Sequence, residues 1–377
     1  MGKRRLFLPL RHDQAGITFI AVSLALLLAH TYANTKLVYV SELTNEGARS
    51  SIGPTPFPNK VWPSGPGEIT PMGLRQHYLV GYDLKTNYAS RLNLQTDYSP
   101  YNIYVRSTNH NFTLMGAESE LEGLFPPDLR KDLTEAQAKL AVPPGDNSII
   151  GQEITALGNK IMPNNFQAVP IHAVNLNKDS VLSQRWCSKI HDLNTKSLDD
   201  EEWEIEINKT YRSALTAFRT YMKSDNMTIH QIYPYLDSVN ALKFNLTSID
   251  ELETQYENLM KFRFDYLQKV WSNPDSLALY SHGFITEMLR YLNDSIIQNE
   301  NVKISDYFRF KMSMYFGTTE SVYAISRHLG QQHTEYPKFS TQMLLELEQD
   351  DDKKYWITIY YNKYPFALGG ECKNAYT

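Results

Sequence analysis

The spacing of apolar and polar residues changes between two periods along the chain, and the two periods predict alternating strands and helices. The run "TKLVYVSEL" predicts a buried strand that ends in the loop "LTNEGARSS" at residues 43–51. "YNIYVRST" and "FRFKMSMYFGTT" predict two further strands, and "TQMLLELEQDDDKKYWITIYYN" predicts a hairpin with a solvated acidic turn. Strands that alternate with helices indicate an α/β sheet whose site lies at the carboxyl ends of the strands.

Helical spacing follows these strands. "TPMGLRQHYLVGYDLKTNY" predicts a helix with Thr70 as its cap and Pro71 in its first turn, and "NFTLMGAESELEGLF" predicts a second helix. A loop rich in proline and glycine, "GPTPFPNKVWPSGPG", precedes the first of them. From about 189 to 300 the spacing is mostly helical, and this predicts a helical insertion over the sheet.

The N-terminus combines a basic arm, residues 1–14, with an apolar run without charged residues at 15–33. At about 1.5 Å per residue, such a run just crosses a bilayer core of about 30 Å. We predict a single transmembrane helix at 15–33 and a body over 36–377; a cleaved secretory signal peptide is the alternative. The arm's lysine and arginines place it on the positive-inside face, so the body is expected on the opposite side.

Composition narrows the choice of partners. A net charge of -5 without a basic stripe argues against nucleic acid as a main partner. The motifs predict no metal site and no cofactor. The two cysteines, Cys187 and Cys372, are either buried thiols or a long-range disulfide.

Several segments resemble the histidine acid phosphatase family, branch 2 of the histidine phosphatases. "WPSGPGEITPMGLRQHYLVG" is similar to the family's Gln-His segment, and "IYVRSTNHNFTLMGAESELEGLFPP" to its Arg-Ser-Thr segment. "AVPIHAVNLNKDSVL" and the late "GGEC" are similar to two more. The resemblance implies an α/β fold with a phosphoglycerate-mutase-like sheet flanked by helices. It also implies a disulfide between Cys187 and Cys372.

The resemblance further implies where the site lies. In the family, a histidine in an Arg-His-Gly-x-Arg motif attacks phosphorus, arginines hold the phosphoryl oxygens, and a later His-Asp pair supplies a proton. This chain has Asn45 and Glu46 in place of the first arginine and the nucleophile, and it has two threonines in place of the His-Asp pair. We therefore predict a degenerate phosphate pocket made of Asn45, Glu46, Arg49, Arg106, Thr318 and Thr319.

Two segments that contain histidine elsewhere resemble the missing motif. His191 stands beside Asp192 and His282 lies in "LYSHGF", but both fall in the wrong segments. We assign them to surface or packing positions.

These substitutions predict a protein that is not an enzyme, in which Glu46 pairs with Arg49 or Arg106 and fills the space of a phosphate. We expect an accessory subunit of a membrane complex, such as a respiratory or ATP synthase assembly of the mitochondrial inner membrane, with the body in the intermembrane space. Its expected partners are membrane lipid and other subunits. The alternatives are a membrane-anchored acid phosphatase of the secretory or lysosomal route or the cell surface, and a pseudoenzyme that binds a phosphorylated ligand.

Overall fold

The computed structural model describes residues 35–369 except 61, 63, 95–97, 127–130, 185 and 302–309. The predicted arm, the predicted transmembrane helix and Cys372 lie outside the described residues. Among the helices of the described part, none combines the length and the hydrophobicity needed to cross a bilayer.

Within the described residues, seven strands form one mixed sheet in the order β3-β2-β4-β1-β5-β6-β7. β1 pairs with β4 in parallel and with β5 in antiparallel orientation, while β2 is parallel to both β3 and β4. The carboxyl ends of β1, β2 and β4 therefore meet at one edge of the sheet, as the sequence predicts. The strand bounds are β1 (Lys36–Thr44), β2 (Ile103–Thr108), β3 (His172–Val174), β4 (Met312–Phe316), β5 (Gln342–Gln349), β6 (Tyr355–Tyr361) and β7 (Tyr364–Phe366).

Helices flank this sheet. Those that follow β1, β2 and β4 pack against its faces, and those between β3 and β4 occupy residues 188–300, where the sequence predicts an insertion. Their bounds are α1 (Pro71–Leu84), α2 (Asn111–Leu124), α3 (Glu135–Leu140), α4 (Gly151–Leu157), α5 (Ser188–Leu198), α6 (Glu201–Thr210), α7 (Arg212–Tyr221), α8 (Ile229–Ile232), α9 (Leu236–Phe244), α10 (Tyr256–Val270), α11 (Pro274–Glu300) and α12 (Thr319–His328).

Close contact between α1 and α2 depends on glycine. A Cβ atom at Gly81 would lie 1.8 Å from the carbonyl oxygen of Glu120, and one at Gly123 would lie 2.1 Å from that of Tyr78. Both distances are far below van der Waals contact, so only glycine allows the two helix backbones to approach this closely. The Thr70 hydroxyl accepts the Gly73 N–H at the start of α1, which confirms the predicted cap.

Hydrophobic residues bury both faces of the sheet. Tyr39, Leu43 and Tyr315 pack on one face with residues of α11 and α12, and Val40 and Met314 pack on the other with residues of α1 and α2. A third cluster holds the helices between α6 and α10 together. The predicted α/β architecture is confirmed, whereas β7 and the antiparallel pairing of β1 with β5 are not predicted. The division of the chain into domains stays a prediction.

Candidate functional site

The site begins where β1 ends, at Asn45. Its side-chain amide donates to the hydroxyl of Thr319 at 3.0 Å and to the carbonyl of Lys338 at 2.9 Å. Its side-chain oxygen, Oδ1, accepts the Thr341 N–H at 2.6 Å. Asn45 therefore joins the end of β1 to the start of α12 and to the loop before β5, which fixes the geometry of the next residue.

Glu46 is buried, with 2 % of its surface exposed, and its carboxylate is fully engaged. One oxygen accepts the Thr319 N–H at 2.8 Å; the other accepts the Thr319 hydroxyl at 3.0 Å and the Arg49 Nη2 at 3.2 Å. Thr319 is the first residue of α12, so the carboxylate lies at the positive end of that helix, where anions bind favourably. Of the two predicted partners of Glu46, Arg49 and Arg106, the structure pairs it with Arg49.

The two threonines have different roles. Thr318 caps α12, because its hydroxyl accepts the Ser321 N–H at 3.4 Å in a capping box, whereas Thr319 contacts Glu46. The structure thus brings Asn45, Glu46, Arg49 and Thr319 into direct contact, and it places Thr318 one residue away as the helix cap.

Arg49 makes a second ion pair that the sequence does not predict. Its Nη1 and Nη2 donate to the two carboxylate oxygens of Asp237, both at 3.0 Å, and Arg263 donates to the same carboxylate at 3.1 Å. Asp237 lies in α9 and Arg263 in α10. Burial alone would raise the pKa of Asp237, but Arg49 and Arg263 hold it well below its ordinary value. Asp237 therefore remains ionised.

Aromatic rings surround these two guanidinium groups. The Arg49 Cζ lies 5.3 Å from the ring centre of Phe112 and 6.0 Å from that of Phe339, while the Arg263 Cζ lies 4.0 Å from that of Tyr336. The loop that carries Tyr336 and Phe339 also lines a cavity of about 550 Å³, which opens toward α9 and α10. The rings lie against the two guanidinium groups, and Tyr336 and Phe339 also line this cavity.

Arg106 lies in a different cluster from the other predicted site residues. It donates to Asp179 at 2.8 Å and to Glu287 at 3.4 Å, and Asp179 also accepts the N–H groups of Val181 and Leu182. In the described contacts, Arg106 has no hydrogen bond or ion pair with the other five residues of the predicted phosphate pocket. It connects β2 to α11 and to the segment before α5, and its predicted role as a phosphate ligand stays a prediction.

The two histidine segments that resemble the missing motif lie away from the site. His191 and Asp192 are exposed on α5, and His282 is exposed on α11, where it lines a separate cavity together with Cys187. Their assignment to surface positions is confirmed. The pairing of Cys187 with Cys372 stays a prediction, because Cys372 lies outside the described residues.

A second buried cluster lies beside the site, on the face of the sheet that α1 and α2 cover. Nδ1 of His77 lies 2.8 Å from Oε2 of Glu120, and the Gln342 amide donates to Glu42. Burial lowers the pKa of His77 to about 4, so its ring is neutral near pH 7. Burial also raises the pKa of Glu120 to about 8. Burial is the main cause that raises the pKa of Glu42 well above its ordinary value, and the neighbouring Glu120 carboxyl raises it further.

Within the described residues, no group of three or more histidine, cysteine, aspartate or glutamate side chains is placed to hold a metal ion. The contacts at the ends of β1 and β4 are those of an anion site: a helix N-terminus, a hydroxyl and an arginine that converge on one carboxylate.

Comparison with known proteins identifies the family. The family model of the histidine phosphatase superfamily (branch 2) matches residues 21–362. The chain belongs to this family. Among its curated relatives, lysosomal acid phosphatase of Xenopus laevis is 22% identical over 378 residues, which cover 96% of this chain and 79% of the relative. Prostatic acid phosphatase of Bos taurus is 25% identical over 353 residues, which cover 89% of this chain and 81% of the relative.

Solved structures agree on the fold. The phytase of Klebsiella sp ASR1 superposes with a TM-score of 0.59 at 13% sequence identity, covering 87% of this chain and 83% of the phytase. At this level of identity the likeness concerns the fold alone.

These comparisons contradict the prediction that the chain is not an enzyme, because the relatives that match it along most of its length are named acid phosphatases. The prediction took the combined loss of the histidine, the first arginine and the His-Asp pair as a loss of catalysis. A buried carboxylate beside an arginine can also transfer protons, so the residues at these positions do not decide the matter. The relatives' names support the secretory or lysosomal alternative, and they give no support to a mitochondrial location.

Proposed function

We propose that the chain is a phosphomonoesterase of the histidine acid phosphatase type that acts in the secretory or lysosomal route. The observation that carries this proposal is the convergence of the Thr319 N–H, the Thr319 hydroxyl and the Arg49 guanidinium on one buried carboxylate. The same donors suit the oxygens of a phosphoryl group, and they lie at the carboxyl ends of β1 and β4, where ligands bind in α/β folds.

Because position 46 holds glutamate, hydrolysis of the phosphate ester must follow a route that uses no histidine there. When a phosphoryl group occupies the donors, Glu46 is displaced and accepts a proton from a water molecule. The water oxygen bonds to phosphorus as the ester P–O bond breaks, and the proton passes from Glu46 to the leaving oxygen. Arg49 and the N-terminus of α12 stabilise the charge on the phosphoryl oxygens during transfer.

Hydrolysis of 4-nitrophenyl phosphate across pH 4–8 tests this function. We expect turnover by the purified chain, and a loss of about 100-fold or more in both Glu46→Gln and Arg49→Met. Glu118→Gln is the matched control, because Glu118 is exposed on α2. Absence of turnover in the parent chain, or equal turnover in the parent and both site variants, would overturn the proposal.

A second candidate function is contact with other subunits of a membrane complex, and the hairpin of β6 and β7 favours it. Trp356, Ile357 and Tyr364 expose large apolar surfaces there. An apolar run at 15–33 that holds the body at a membrane would assist such contacts. Native gel electrophoresis of gently solubilised membranes tests this role. We expect migration in a larger assembly that Trp356→Ser with Tyr364→Ser releases, and migration as a monomer contradicts it.

A further inference from the structure

We propose that Glu46 is a tethered anion that phosphate must displace, and that Arg263 is the second cation of the phosphate site. The proposal rests on the proposed function in that both use the same crevice, but it concerns binding rather than turnover.

Glu46 occupies the position that an oxyanion would take. Its carboxylate accepts one backbone N–H, one hydroxyl and one guanidinium N–H, all within 3.2 Å. A phosphate bound to these donors would need Glu46 to leave them. Because Glu46 is part of the chain, its effective concentration at the donors is high, and it lowers the apparent affinity for any free anion.

Asp237 is the other carboxylate of the cluster, and it is held more firmly. It accepts two bonds from Arg49, one from Arg263 and one from the Ile52 N–H, and the Ser51 hydroxyl lies 3.3 Å away. Glu46 has fewer donors, and only one of them is charged. The exchange therefore takes place at Glu46, and Asp237 stays as the group that fixes the two arginines side by side.

Each of the two arginines has one buried N–H donor without an acceptor among the described residues. Arg49 is 5 % exposed and Arg263 is 6 % exposed. Nε of Arg49 and Nη1 of Arg263 have no hydrogen-bond partner among the described residues. Buried N–H groups without a partner are uncommon because they lose hydration without a compensating bond. Oxygens of a bound phosphate would supply the missing acceptors.

The charges of the cluster favour Glu46 as the anion at these donors. Arg49 and Arg263 contribute two positive charges, and Glu46 and Asp237 contribute two negative charges. The cluster is neutral while Glu46 is in place. Replacing Glu46 by glutamine leaves one net positive charge beside the N-terminus of α12, so an anion is attracted more strongly.

Isothermal titration of the full chain with inorganic phosphate at pH 6 tests both parts. We expect Glu46→Gln to bind about tenfold more tightly than the parent, and Arg263→Met about tenfold more weakly. Glu118→Gln, exposed on α2, should match the parent. Circular dichroism verifies the fold of each variant. If Arg263→Met does not fold, Arg263→Gln combined with Glu46→Gln replaces it and should bind more weakly than Glu46→Gln alone.

Unchanged or weaker binding by Glu46→Gln overturns the tethered anion, and parent-like binding by the folded Arg263 variant overturns the second cation. The test is separate from that of hydrolysis. A chain that binds phosphate in this order but releases no nitrophenol overturns the proposed function alone. A chain that hydrolyses the ester while Glu46→Gln binds no more tightly overturns this inference alone.

Discussion

Glu42 and Glu46 lie within five residues of each other at the end of β1, yet the two buried clusters that they enter balance their charge in different ways. The Glu46 cluster matches two carboxylates with two guanidinium groups, and its Asp237 has a lowered pKa. The Glu42 cluster places two carboxyls beside a neutral histidine, and burial raises both carboxyl pKa values. A buried acid thus stays charged where arginine reaches it and keeps its proton where no cation does.

The free atoms of the second cluster fit this contrast. Oε2 of Glu42 and Oε1 of Glu120 have no hydrogen-bond partner among the described residues, and a carboxyl that keeps its proton is neutral, so its burial without a cation costs less than that of a carboxylate. The Glu46 cluster is neutral because it contains equal numbers of arginines and carboxylates. The Glu42 cluster is neutral only at pH values at which its two carboxyls keep their protons.

Removing one member of the balanced cluster should have the largest effect on stability. In Asp237→Ala, Arg49 keeps its ion pair with Glu46, and Arg263 stays buried without its ion pair to Asp237. We expect the free energy of unfolding to fall by about 3–5 kcal/mol, measured by urea denaturation. Asp351→Ala, in the exposed turn between β5 and β6, is the control. A loss no larger than that of the control would show that the two arginines do not depend on Asp237 for their stability.

The acid pair should make stability depend on pH in the opposite way from ordinary carboxylates. The pKa of Glu120 rises from 4.5 to about 8 on folding, so the folded chain keeps a proton that the unfolded chain releases between these values. Its contribution is complete below pH 4.5 and is lost as the pH rises through 8. The lowered pKa of His77 affects stability only below pH 6.5, its ordinary pKa. There it makes stability rise with pH, which opposes the effect of Glu120.

Denaturation between pH 7 and pH 8 isolates the carboxyl pair. We expect the free energy of unfolding to fall by about 1.4 kcal/mol per pH unit for each carboxyl that keeps its proton, and Glu120→Gln to reduce this slope. Glu118→Gln, on the exposed side of the same helix, should leave the slope as it is. A parent chain whose stability is constant or rises over this interval contradicts the raised pKa values of the two carboxyls.

The smallest expected effect concerns the ring beside Arg263. Tyr336→Leu removes a ring whose centre lies 4.0 Å from the guanidinium carbon, and we expect a loss of about 1 kcal/mol in the free energy of unfolding. Tyr336→Phe keeps the ring and should retain most of that stability. Equal losses in the two variants would assign the effect to the hydroxyl group instead.

Sequence periodicity predicts the local elements of this fold because hydrophobic spacing and helix caps are local properties. It also predicts that β1, β2 and β4 end at one edge, and the resemblance to the family predicts that Glu46 pairs with Arg49 or Arg106. It does not predict Asp237 or Arg263, because they reach the crevice from the helices between β3 and β4, and the Arg49–Asp237 contact spans 188 residues. Nor does it place Arg106 with Asp179 and Glu287, since the position of a residue near a strand end does not specify the face toward which its side chain turns.

The most direct test of the account is the structure of the full chain saturated with orthovanadate, a tetrahedral analogue of phosphate. We predict that vanadate oxygens accept the Thr319 N–H and the Arg49 guanidinium, with the Glu46 carboxylate displaced from both. Vanadate bound at Arg106 in place of Asp179, or a Glu46 that keeps its contacts with Thr319 and Arg49 at saturation, would contradict the account.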